Sequence, residues 1–201
     1  MARPLALLAY ALVALLIAFE LWAAWLMLHP DVPEDYRAYY VDQTTTCLNQ
    51  PVSGEYVLGT PVSFRPDGID QARPLRVCGW DGPAGDGTHA IGQTSRLRFA
   101  LPPNTSGPLL LRLEIFAITW EGQPVQRVAV RVNNTVLQTI PVPAGETITT
   151  EVTVPPDVVG TGAEALELAL DYPDAIQVAP TDSDTRMRSI KLLAAQLSAA
   201  P

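Results

Sequence analysis

Residues 5–28 form an almost unbroken apolar run near the amino terminus, with no Pro or Gly inside and Glu20 as the only ionisable side chain. At about 1.5 Å per residue, such a run spans the roughly 30 Å of hydrocarbon in a bilayer as one helix. Lipid leaves a single segment no other choice, because backbone groups must be satisfied within the segment itself. Trp22 and Trp25 lie toward the far end, where amphipathic rings favour the membrane–water interface. Pro30 and Pro33 end the helix as the chain turns polar. A cleaved signal peptide would have a shorter core and an A-x-A exit, whereas this run leaves through Trp-Leu-Met-Leu-His-Pro. A retained anchor over residues 1–29 is therefore expected. Arg3 precedes the helix, while Asp31, Glu34 and Asp35 follow it with Arg37. The positive-inside rule puts the short amino end in the cytoplasm and the body outside.

The remaining stretch is large enough for one domain with a sizeable core. Formal charge is −8, which repels phosphate backbones and argues against nucleic acid. Lys191 is the only lysine, and the wealth of Ala, Pro and Arg is associated with GC-rich bacterial genomes. Residues 30–53 read as a neck, in which 35–40 suit a helical turn or an aromatic collar at the membrane surface. From residue 54 to 201 strand signals dominate. Short apolar segments at 56–58 and 61–64 come first, then an alternating stretch at 75–80 that runs into a glycine-rich loop at 81–92. Leu97, Phe99 and Leu101 alternate with Arg96, Arg98 and Ala100, as a half-buried strand requires. A long central strand is expected at 109–119, and a hairpin at 125–140 turning on Asn133-Asn134. Further strands are expected at 147–154, 165–172 and 190–197. Eight or nine strands punctuated by Pro, Gly and Asn predict an all-β sandwich.

Cys47 and Cys78 fall on the exported side, where an even pair most often forms a disulfide worth roughly 3 kcal/mol. Two buried thiols are the alternative reading. Two Cys with the distant His29 and His89 match no zinc spacing.

Several motifs occur in a recognisable order. They are Gly79-Trp80-Asp81-Gly82-Pro83, Gly85-Asp86-Gly87-Thr88-His89-Ala90, Leu97-Arg98-Phe99-Ala100-Leu101-Pro102, the Val130–Asn134 hairpin, Val154-Pro155-Pro156 and the 183–192 segment. Together, over roughly 75–197, they resemble the jelly-roll, carbohydrate-binding-module-like domains on the outer face of bacterial membrane glycosyltransferases and polysaccharide enzymes. The resemblance implies a jelly-roll-like sandwich and a glycan-related role. Thr88 and His89 stand where that family usually carries a second aromatic, and Met187-Arg188 where it commonly has Leu-Gly.

Sugar binding needs exposed aromatic faces flanked by polar groups. Trp80 and Trp120 are the obvious platforms, with Asp81, Asp86, His89 and Glu121 near them in sequence. Trp80 also reads as a packing residue beside the disulfide, the preferred reading, while Trp120 divides evenly between contact and edge packing. Asp184 and Arg186 suit a pair that pins the last strand. Asp81, Asp86 and Asp182 offer oxygens for a structural Ca²⁺, but a hard cation needs six to eight and no calcium loop is matched, so no cofactor is expected. No nucleophile elbow, P-loop, dinucleotide fingerprint or metallopeptidase motif occurs, and no convincing carboxylate pair or triad, so no enzyme is expected. Glu20 is costly facing lipid and points to a neighbouring membrane helix, which Ala6, Ala9, Ala14, Ala18, Ala23 and Ala24 would let approach closely. Protonation or snorkelling is the alternative.

These features predict a non-catalytic, single-pass accessory subunit of a bacterial inner-membrane assembly, with its sandwich in the periplasm. Its partners would be other membrane subunits through the helix, and a polysaccharide or glycosyltransferase through the sandwich. The competing expectation is a structural subunit of a respiratory or photosynthetic complex.

Overall fold

The computed structural model describes residues 2–29, 31–42, 44–160, 162–177 and 186–201. The apolar run forms one helix, α1 (Ala2–Leu28), of which Ala6–Leu28 is long and apolar enough to cross a membrane. Among the described residues none covers its span, so Leu7, Leu8, Leu12, Phe19, Trp22 and Trp25 stand exposed. At its end the Trp25 ring stacks on His29 at 4.8 Å. A short helix at Glu34–Tyr36 follows, and it widens into a π-turn at Arg37–Val41 in which the Asp42 N–H donates to the Arg37 carbonyl. Tyr36, Tyr39 and Tyr40 cluster there, with ring centroids 4.5 and 4.8 Å apart. The helical turn expected for this neck forms, and it carries the three tyrosines.

Beyond the neck the chain is a two-sheet β-sandwich with every named strand pairing antiparallel. The strands are β1 (Val62–Ser63), β2 (Arg76–Cys78), β3 (Trp80–Ala84), β4 (Gly87–Ala90), β5 (Thr94–Ala100), β6 (Leu109–Ala117), β7 (Val125–Val132), β8 (Thr135–Pro143), β9 (Thr147–Val154), β10 (Ala165–Asp171), β11 (Ile176–Gln177), β12 (Met187–Arg188) and β13 (Ile190–Ala199). One sheet runs β3-β4-β13-β6-β9, with β1 also on β13; the other runs β2-β5-β10-β7-β8. β11 and β12 pair separately.

The alternation in sequence is the inside–outside alternation of these strands. Leu97 and Phe99 of β5, Leu111, Leu113 and Ile115 of β6, Val128 and Val130 of β7, and Leu166, Leu168 and Leu170 of β10 meet in one core. Outward positions on the second sheet carry paired charges, Arg98 with Glu167 at 2.6 Å and Arg131 with Asp171 at 2.8 Å. Asn133 and Asn134 both have positive φ, +44° and +68°, the geometry of a two-residue I′ hairpin. β13 breaks strict alternation at Leu192-Leu193, where a bulge shifts its register against β6 and both leucines are buried.

Two expectations need correction. The glycine-rich segment 81–92 is a β-hairpin, β3–β4, whose Ala84 faces Gly87 across a turn at Gly85-Asp86. Pro83 is tolerated because β3 is the edge strand. Residues 56–58 form no strand; Tyr56 instead donates its hydroxyl to the carbonyls of Thr60 and Leu197, and its ring meets Phe99 edge-on.

Candidate functional site

The chain crosses from one sheet to the other at Gly79, between β2 and β3. Its φ is +74°, and a Cβ there would lie 2.2 Å from the Thr94 carbonyl oxygen, so only glycine allows the crossing. The Gly79 carbonyl accepts from Ser95 Oγ at 2.6 Å and from the Ile91 N–H at 2.9 Å, which locks the corner in place.

Against this corner lies the neck. Cys47 is disulfide-bonded to Cys78, with Cα atoms 4.7 Å apart. Thr46 donates to the Ile91 carbonyl and sits where a Cβ on Gly92 would be, 1.6 Å from its Oγ1. The Gln50 N–H donates to the Val77 carbonyl at 2.9 Å, and the Gly54 N–H to that of Pro74 at 2.9 Å. Arg96 reaches Asn49 Oδ1 at 3.0 Å. The neck is thus bound along β2.

Between the neck and the corner is a cleft of about 410 Å³. Tyr39, Tyr40, Thr46, Leu48, Gln50, Pro51 and Val52 line it from the neck. Arg73 and Arg76–Trp80 line it from the sandwich. Trp80 is only 9% exposed, packs on Phe64, and donates its indole N–H to the Arg96 carbonyl at 2.9 Å. Its ring is therefore a fixed wall that also borders the cleft. The Arg76 guanidinium donates to the Asp81 carbonyl; burial first, then the charge of Arg73, lowers its pKa, against the raising influence of Asp81.

The other sequence-predicted residues lie outside this cleft. His89 shares an outward row with Lys191 and Phe116 across β4, β13 and β6. Asp86 accepts from Lys191 Nζ at 2.8 and 2.9 Å, and that ammonium lies 5.3 Å from the Phe116 ring centre. His89 is half-buried, and burial followed by the charges of Lys191 and Arg188 pushes its pKa down against the raising influence of Asp81 and Asp86. Burial pushes the Asp81 carboxyl up, but hydrogen bonds from the Gly82 N–H and Arg188, with the charges of Arg188 and Arg186, outweigh it and hold it below the usual range. Trp120 is 36% exposed and, with Glu121, occupies the turn between β6 and β7. Glu20, Trp22 and Trp25 stand exposed on α1.

Asp182 and Asp184 lie outside the described residues. Asp81 and Asp86, the described members of the calcium set, are held by Arg188 and Lys191, so a Ca²⁺ there would have to displace both cations. Among the described residues no group of three His, Cys, Asp or Glu is placed to hold a metal ion.

Tyr39, Tyr40, Arg73 and Arg76 escaped the sequence reading as site residues. The signal for them was the Cys47–Cys78 pair, because closing that bridge brings the collar onto β2.

No protein-family model and no curated protein matches the chain. Among solved structures, it is similar to a family GH115 4-O-methyl-α-glucuronidase with specificity for decorated arabinogalactans, at 10% identity and a TM-score of 0.40, over 78% of this chain and 18% of that one. A carbohydrate-binding module of family CBM36, in complex with calcium and xylotriose, is similar at 10% identity and a TM-score of 0.39, over 69% of this chain and 99% of the module. A family 35 carbohydrate-binding module from an environmental isolate is similar at 12% identity and a TM-score of 0.35, over 76% and 97% respectively. At these TM-scores none of the similarities carries a residue role or an activity to this chain.

Proposed function

We propose that this chain is a membrane-anchored, non-catalytic accessory subunit that binds a glycan in the cleft between its neck and its sandwich. The observation that carries this reading is the cleft itself: a concavity of about 410 Å³ in which Tyr39, Tyr40 and Trp80 accompany Gln50, Arg73 and Arg76. Aromatic faces take the C–H surface of a sugar ring, and side-chain donors take its hydroxyls. The volume falls within the range of small-ligand sites, roughly 300–1,000 Å³. A binding rather than catalytic role fits the engagement of six acidic groups of the sandwich. Asp81, Asp86, Asp171, Asp174, Glu114 and Glu167 are each engaged by a cation of the chain.

In this reading α1 crosses a bacterial inner membrane with its amino end in the cytoplasm, and the sandwich stands in the periplasm. Glu20, on a helix that no described residue covers, meets a polar group of a neighbouring subunit's helix, so the glycan is presented to that assembly.

The test is glycan-array binding by the full chain in lipid nanodiscs, beside a Tyr40→Ala variant. Tyr40 is 54% exposed, so its removal spares the core. The reading expects a defined set of saccharides to be retained, and about tenfold weaker binding for the variant, as lost ring stacking implies. Retention no better than that of empty nanodiscs, or equal retention by both proteins, overturns it.

A further inference from the structure

Cations are scarce in this chain, 13 Lys and Arg against 21 Asp and Glu, and most described ones are spent on carboxylates. Arg65, Arg98, Arg127, Arg131, Arg188 and Lys191 each hold one at 2.6–2.9 Å. Arg73 and Arg76 do not: among the described residues neither has a carboxylate oxygen within 4.0 Å. Both line the cleft, and no Asp or Glu is among its lining residues.

Arg76 carries a second mark. Its Nε is buried and has no hydrogen-bond partner among the described residues, while its other contact is a neutral carbonyl, that of Asp81. A buried, charged donor without a partner is costly; the Arg73 guanidinium close by adds like-charge repulsion, which the Asp81 charge opposes. An anion in the cleft gives that donor a partner. Guanidinium groups suit carboxylate and phosphate oxygens, which they take in forked pairs.

We infer that the cleft takes a sugar bearing an acidic group, a carboxylate or a phosphate, with the oxyanion held between Arg73 and Arg76 and the ring against Tyr39, Tyr40 and Trp80. This inference rests on the reading of the cleft as a glycan site and narrows its ligand class. The rings matter to the choice of ligand, since a bare anion gains nothing from three aromatic faces. The neck supplies the two tyrosines within about a dozen residues of the end of α1, so the acidic sugar is met near the bilayer surface.

The experiment is calorimetric titration of the full chain in phosphatidylcholine nanodiscs with glucose, glucuronate and glucose 1-phosphate, and with inorganic phosphate alone. It is repeated at higher salt and with Arg73→Gln, an exposed residue whose replacement spares the core. The acidic sugars should bind at least about tenfold more tightly than glucose, as a charge-assisted pair implies. That preference should shrink with salt, and the variant should lose most of it. Equal binding of neutral and acidic sugars overturns the inference while leaving the glycan reading intact. Inorganic phosphate binding as tightly as the acidic sugars overturns the sugar component and assigns the cleft to a free phosphate. Preference for nanodiscs doped with phosphatidic acid over any sugar would assign it to a lipid headgroup, with the same consequence. Binding of none of these overturns both readings.

Discussion

The bridge between Cys47 and Cys78 holds one side of the cleft, so replacing both residues with Ser probes stability and site together. The two cysteines are 31 residues apart, and closing a loop of that length removes about 3.7 kcal/mol of unfolded-chain entropy in the chain-entropy model. Fold survival is expected, because the neck keeps its backbone bonds from Gln50 to Val77 and from Gly54 to Pro74, and the Ala100 N–H still donates to the Gly54 carbonyl at 2.7 Å. For a domain of this size each kcal/mol moves Tm by about 2–4 °C, so the double variant should melt about 7–14 °C lower. Calorimetry of the full chain in detergent, with and without reductant, reads this directly. Reductant should lower the wild-type Tm by a similar amount and leave the variant unchanged. Amide exchange should also quicken at 44–52 well before it quickens in β6 or β13. A loss below about 1 kcal/mol would refute the reasoning, because the entropy of closing that loop would then not stabilise the native state.

Phe99 is fully buried and its ring lies 5.0 Å from Tyr56, so Phe99→Ala should cost about 3–5 kcal/mol in urea unfolding. Hydrogen bonds from Arg127 hold the Asp174 carboxyl below its usual pKa against the opposing effect of burial. That pair's contribution is fully present above the unfolded carboxylate pKa of about 3.9 and is lost as pH falls through the lowered folded value. Acid melting curves should therefore show less loss below about pH 4 for Asp174→Asn than for wild type. Glu20→Leu should weaken co-purification of other membrane proteins after gentle detergent extraction, and unchanged recovery would remove the proposed helix contact.

Strands that bury one face were legible wherever side chains alternate, as along Leu97–Phe99 and Val128–Val132, because a period of two is the physical signature of a half-buried strand. The Asn133-Asn134 turn was legible for a different reason, since asparagine tolerates the positive φ that the hairpin demands. The β3–β4 hairpin was not, because Gly82, Pro83 and Gly85 carry no alternation and its pairing depends on β13 beside it. Leu192-Leu193 hid its bulge in the same way: the two adjacent leucines are both buried where the register shifts, and no alternation marks the place. The cleft was the least legible feature. Its two sides lie more than twenty residues apart, and what joins them is a disulfide, Thr46 filling the space above Gly92, and backbone bonds along β2. None of these leaves a periodic trace in the neck. Trp80 was visible as an aromatic beside the bridge, but its double role, anchored to Arg96 and bordering the cleft, follows only from the sheet crossing at Gly79.

The most direct test of glycan binding in this cleft is hydrogen–deuterium exchange on the full chain in nanodiscs, with and without a saturating oligosaccharide retained on the array. Protection is predicted at 39–52 and 73–80, on both sides of the cleft, with the turn at Trp120 unchanged. Protection at 116–123, or along the His89–Lys191 row, with the cleft amides unaffected, would contradict the account.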